Sequence, residues 1–69
     1  MPYYPNLEAE MARAGVMRKD VAALLGKTPD TITAWMEGKE SGFPVAYAFK
    51  LRNELFPGLS IEELFESAA

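Results

Sequence analysis

The chain contains neither cysteine nor histidine. Those two absences remove disulfides, thiolate zinc sites and imidazole ligands. They also leave Ser41, Ser60 and Ser67 without the base that a serine nucleophile requires. Carboxylate pairs suited to acid–base work are missing too. Glu8 and Glu10 stand two apart on a helical segment, Glu62 and Glu63 stand side by side, and neither spacing puts both acids on one face. The five glycines are scattered singly, so there is no glycine-rich loop to cradle a phosphate. The sequence therefore predicts no enzyme, no metal site, no cofactor and no small-molecule ligand. Long apolar runs are lacking as well. The longest, Phe43 to Phe49, ends at Lys50, whereas a membrane-spanning helix needs roughly 20 residues. The opening MPYYPN has neither the basic residues nor the apolar stretch of a signal peptide. The expectation is a soluble, cytoplasmic protein with no membrane partner.

Positive charge is in deficit, and its placement matters more than the net value of -3. Glu8 and Glu10 occupy the start, and Glu54, Glu62, Glu63 and Glu66 the end. All seven bases lie between them: Arg13, Arg18, Lys19, Lys27, Lys39, Lys50 and Arg52. Only Asp20, Asp30, Glu37 and Glu40 accompany them, which leaves that middle at +3. A basic centre between acidic ends is a modest footprint for a phosphate-bearing partner. Ordinary solvated charges give the same pattern.

What the chain does have is helix signals. With 69 residues it has room for one domain, and a chain this short buries only about 60% of its unfolded surface. Stability must then come from apolar helix faces. Asn6 reads as an N-cap, followed by an apolar stripe at Leu7, Met11 and Ala14 and a stop at Gly15. A second helix runs from Met17 or Arg18 to Leu25, with Val21, Ala22, Leu24 and Leu25 on its buried side, and Gly26 ends it. Thr28 caps a third helix that reaches about Glu37; Pro29 sits where a missing N–H does no harm, and Asp30 suits the positive end of the dipole. Ile32, Trp35 and Met36 form its apolar stripe, and Gly38 stops it. Lys39 to Gly42 reads as a loop. Pro44 opens a fourth helix to Leu55, with Ala48, Leu51 and Leu55 on one face and Val45 and Phe49 beside it. Ser60 and Glu63 read as a capping box for a last short helix containing Ile61, Leu64 and Phe65. No segment alternates with period two over strand length. The expected fold is all-α, five helices around one core, in a single domain spanning 1–69.

The second and third helices are joined by only Gly26, Lys27 and Thr28, so they must cross steeply. A steep crossing needs a small residue at the contact, met by Ala22. Gly26 can turn the chain at positive φ, and Ile32 and Trp35 can pin the third helix onto Val21 and Leu25. That is the geometry of a helix-turn-helix, here at about 18–37.

Ala22, Gly26 four residues later and Ile32 six after that resemble the fixed points of the helix-turn-helix in Cro/CI-type (XRE, lambda-repressor-like) regulators. NLEAEMARAGVMRKDVAALLGKTPDTITAWMEGK looks like the first three helices of that family, and FPVAYAFKLRNELFPGLSIEELF like the fourth and fifth helices of its small phage-type members. The resemblance covers about Asn6 to Phe65. It implies a compact five-helix domain that binds double-stranded DNA as a transcriptional regulator, with the third helix in the major groove. Thr28, Pro29, Asp30, Thr33 and Ala34 stand where the family reads bases or grips nearby phosphates, and Thr31 adds a hydroxyl to the same helix. Arg18 occupies a position where the family often has Gln, at a helix N-terminus suited to a phosphate. Lys19, Lys27 and Lys39 would add phosphate contacts.

The chain departs from the family in its reading face. The third helix has no Arg, Lys, Asn or Gln, the side chains that make the strongest base pairings. Asp30 can accept from cytosine N4 or simply serve the dipole. Lys27 replaces what is usually an apolar residue. One copy should therefore bind with little selectivity. A homodimer would double the contacts, with half-sites about 34–36 Å apart. Tyr3, Tyr4, Phe56, Leu59 or Phe65 would supply the self-contact, unless they only close the core. The competing reading is a protein-interaction module on the same scaffold, antitoxin-like or anti-repressor.

Overall fold

Helix boundaries follow local chemistry. In the computed structural model, which describes residues 2–68, the elements are α1 (Pro5–Ala14), α2 (Arg18–Leu25), α3 (Pro29–Met36), α4 (Val45–Leu55) and α5 (Ile61–Leu64), with a short 3-10 turn at Lys39–Ser41 before α4. Met1 and Ala69, the ends of the expected 1–69 domain, lie outside the described residues. Among the described residues there is no strand, and no helix is long and apolar enough to cross a membrane. The molecule is a small all-α domain of 26 × 26 × 22 Å.

One core joins every helix. Leu7 and Met11 come from α1, Val21, Ala22 and Leu25 from α2, Ile32, Trp35 and Met36 from α3, Ala48 and Leu51 from α4, and Leu64 from α5. Tyr4, Phe43 and Phe56 enter from the connecting segments. Among the described residues no polar or charged residue is buried. The apolar stripe of α1 ends at Met11. Ala14 is exposed, because the chain turns away at Gly15 and the Val16 N–H reaches back to the Met11 carbonyl at 2.9 Å.

Three local expectations change. Asn6 does not cap α1. Pro5, with its fixed φ, opens the helix two residues earlier than a cap at Asn6 would, and Asn6 Nδ2 instead donates to the Glu63 carbonyl oxygen of α5 at 2.8 Å. Lys39 to Gly42 is a tight turn rather than an open loop, with Glu40 at φ 55 and Ser41 at φ 69. The last helix is a single turn. Ser60 Oγ accepts from the Glu63 N–H at 3.2 Å, and Phe65 falls just beyond the helix as its C-cap.

The chain ends meet beside α3. The Ala68 N–H donates to the Tyr3 carbonyl oxygen at 2.8 Å, and the Tyr3 ring lies against Gly38, two residues past the end of α3.

Candidate nucleic-acid interface

The corner between α2 and α3 is built by backbone chemistry. Gly26 takes the left-handed conformation (φ 69, ψ 32). The Lys27 N–H then donates to the Ala22 carbonyl oxygen at 2.9 Å and the Gly26 N–H to that of Ala23 at 3.4 Å, the paired bonds of a Schellman ending. Thr28 turns the chain into α3, its Oγ1 accepting from the Thr31 N–H at 3.3 Å. Inside the corner Ala22 and Ile32 are buried with Val21, Leu25 and Trp35, the set expected to hold α3 on α2. At the other end of α2, the Met17 N–H donates to Asp20 Oδ2 at 2.8 Å.

This packing decides which face of α3 meets solvent. Thr28, Pro29 and Asp30 at its start are exposed, and Thr31, Thr33 and Ala34 are half-buried. The terminal segments, with Pro2, Tyr3 and Ala68, lie over the other end, where they line an open groove with Met36, Glu37, Glu8 and Arg18. The tail thus reaches the C-terminal end of α3 and leaves its N-terminal end clear.

The hydroxyls on this face already have partners. Thr28 and Thr31 share a hydrogen bond between their Oγ1 atoms at 3.0 Å. Thr33 Oγ1 accepts from Arg18 Nη1 at 3.2 Å. Asp30 has no ion-pair partner among the described residues.

The four cations named from sequence differ in their engagement. Arg18 is the most constrained: besides Thr33 on α3, it donates through Nη2 to Glu8 Oε2 on α1 at 3.3 Å. Lys27 holds its ammonium 5.1 Å from the centroid of the Tyr47 ring of α4, and that ring packs 5.4 Å from Trp35. Lys39 pairs at 3.5 Å with Glu37 just past the end of α3. Lys19 is exposed and has no carboxylate partner among the described residues.

Glu8, Glu37 and Tyr47 therefore belong to this surface although sequence reasoning did not place them there. Glu8 is 10 residues from Arg18 on a different helix, and Tyr47 meets Lys27 only through the packing of α4 on α2 and α3. No spacing rule reports either contact. The residues expected to make a self-contact are occupied in the fold: Tyr4 and Phe56 are buried, and Tyr3, Leu59 and Phe65 are half-buried against the core. Among the described residues, the large apolar side chains left exposed are Met17, Val45 and Phe49. Comparison with protein-family models, with curated proteins and with solved structures finds no match, so the likeness to Cro/CI-type regulators rests on the residues themselves.

Proposed function

We propose that the protein is a sequence-specific double-stranded DNA-binding transcriptional regulator of the Cro/CI helix-turn-helix type, a cytoplasmic repressor of phage or mobile-element kind. The observation that carries this reading is the three-residue corner of Gly26, Lys27 and Thr28, which sets α3 against α2 while its N-terminal end stays open to solvent. A B-DNA major groove about 12 Å wide admits such a helix end. Thr28, Pro29, Asp30, Thr31, Thr33 and Ala34 then face the bases, while Arg18, Lys19, Lys27 and Lys39 contact the flanking phosphates. Threonine methyls and Ala34 suit the thymine methyl, and Asp30 suits cytosine N4. Because these contacts are few, a homodimer on two half-sites supplies the remaining affinity.

Selection from random duplexes with purified protein tests this directly. A recurring motif should emerge, and Thr33→Val or Asp30→Asn should relax preference at one or two positions of it. Enrichment of no motif, with no binding at low salt, would remove the reading. A second reading keeps the scaffold but makes it a protein-interaction module. Its specific support is that the α3 hydroxyls are already partnered and that Asp30 and Glu37 put two acids along α3 and its end. A stable complex with another protein that buries α3, in a chain indifferent to DNA, is the result that favours it.

A further inference from the structure

Arg18 is held by two elements other than its own. Its Nη1 reaches Thr33 on α3 at 3.2 Å and its Nη2 reaches Glu8 on α1 at 3.3 Å. The guanidinium and carboxylate are both partly open to water, with 39% and 33% of the side chains exposed. The two contacts do different work. Thr33 offers a neutral hydroxyl oxygen and gains a fixed orientation. Glu8 offers a charged, partly exposed acceptor to the other arm, the same kind of anionic oxygen that a phosphate would present to that N–H.

Building on the DNA-binding reading above, we propose that Glu8 is an internal competitor for the phosphate ligand of Arg18. In the free protein the carboxylate occupies one arm of the guanidinium. On DNA a backbone phosphate replaces it, while the other arm stays on Thr33. Arg18 thus acts as a positioning residue for the reading face, and Glu8 lowers affinity for any duplex, specific or not. The exchange is chemically even: one anionic oxygen acceptor leaves the guanidinium and another arrives, and no proton needs to move. Its energetic cost is the loss of a half-exposed ion pair plus repulsion between the displaced carboxylate and the phosphate. Exposed pairs of this kind are worth up to about 1 kcal/mol, which corresponds to a factor of about two to five in affinity.

A double-mutant cycle on duplex DNA at fixed salt tests the exchange. The proteins are the wild type, Glu8→Gln, Arg18→Gln and the double variant, with Glu62→Gln on α5 as a control that makes the same change in net charge. Glu8→Gln should bind about two- to fivefold tighter than both the wild type and Glu62→Gln, and that gain should vanish when Arg18 is already Gln. Arg18→Lys, which keeps the charge but loses the fork, should bind more weakly than wild type and gain less from Glu8→Gln than Arg18 does. If Arg18→Gln fails to fold, Arg18→Lys carries the cycle in its place. Equal affinities for Glu8→Gln and Glu62→Gln, or a Glu8→Gln gain that persists without Arg18, overturns the exchange and leaves the DNA-binding reading standing. Absence of binding by every variant, wild type included, overturns both.

Discussion

At the scale of single residues, the most consequential polar group is the Tyr4 hydroxyl. It accepts from the Phe43 N–H at 3.0 Å, across 39 residues, inside the core. Removing it strands a buried backbone donor, which costs about 1–3 kcal/mol. Tyr4→Phe should therefore lower the melting temperature by several degrees, since 1 kcal/mol shifts a domain of this size by roughly 4–8 °C. Beside it, Gly42 has φ 84 and ψ -149, a region essentially reserved for glycine, and a methyl group there would overlap the Tyr4 hydroxyl. Gly26 is a useful contrast. It also has positive φ, but open space surrounds its missing side chain. Gly26→Ala should cost only the backbone strain, about 1 kcal/mol, whereas Gly42→Ala should cost more than Tyr4→Phe. Urea denaturation of the three variants checks the order. A Gly42→Ala protein as stable as Gly26→Ala would contradict the packing around Tyr4.

Among the elements, stability rests on caps because most helices are short: α2 and α3 are eight residues each and α5 is four. Isolated helices of this length do not persist in water, so each terminal hydrogen bond counts. Thr28→Ala removes the acceptor for the Thr31 N–H and should destabilise the domain by about 1 kcal/mol; Asp20→Ala, which frees the Met17 N–H, should act similarly. Thermal unfolding followed by circular dichroism measures both. Thr28 was legible in the sequence because capping is local chemistry: Thr28 precedes Pro29 and an apolar stripe. Gly15 and Gly26 were legible for the same reason. Asn6 misled because Pro5 competes for the helix start, and the partner that claims Asn6 is 57 residues away. The buried face of α3 followed from the period of Ile32, Trp35 and Met36, whereas Thr28 to Asp30, which are exposed, were singled out as reading positions by the resemblance alone. The partners of its side chains did not follow. Arg18 on Thr33 and Glu8, Lys27 on Tyr47, and Tyr4 on Phe43 all join residues brought together by tertiary packing, to which no periodicity applies.

For the whole molecule, charge placement sets how strongly a duplex would be held. The net charge of -3 opposes a polyanion at long range. Of the four cations, Lys27 sits in the α2–α3 corner, Arg18 and Lys19 open α2, and Lys39 follows the C-terminal end of α3. Two of the four already face a carboxylate, Arg18 toward Glu8 and Lys39 toward Glu37. Long-range repulsion is screened within about 8–10 Å at physiological salt, so the local cations decide the outcome there. Each neutralised phosphate contributes about 0.9 to the slope of log affinity against log salt. Four contacts per copy predict a slope of about -3 to -4, a loss of about a hundredfold between about 50 and about 200 mM salt, and twice that slope for a dimer on two half-sites. The fluorescence of Trp35, the sole tryptophan and a core residue of α3, offers a label-free readout for such titrations. Lys27→Gln should reduce the slope by about 1 per copy and weaken binding to all sequences alike, as expected for a side chain that meets phosphate rather than a base. A Lys27→Gln protein with an unchanged slope would mean that the ammonium stays on the Tyr47 ring and never reaches the backbone.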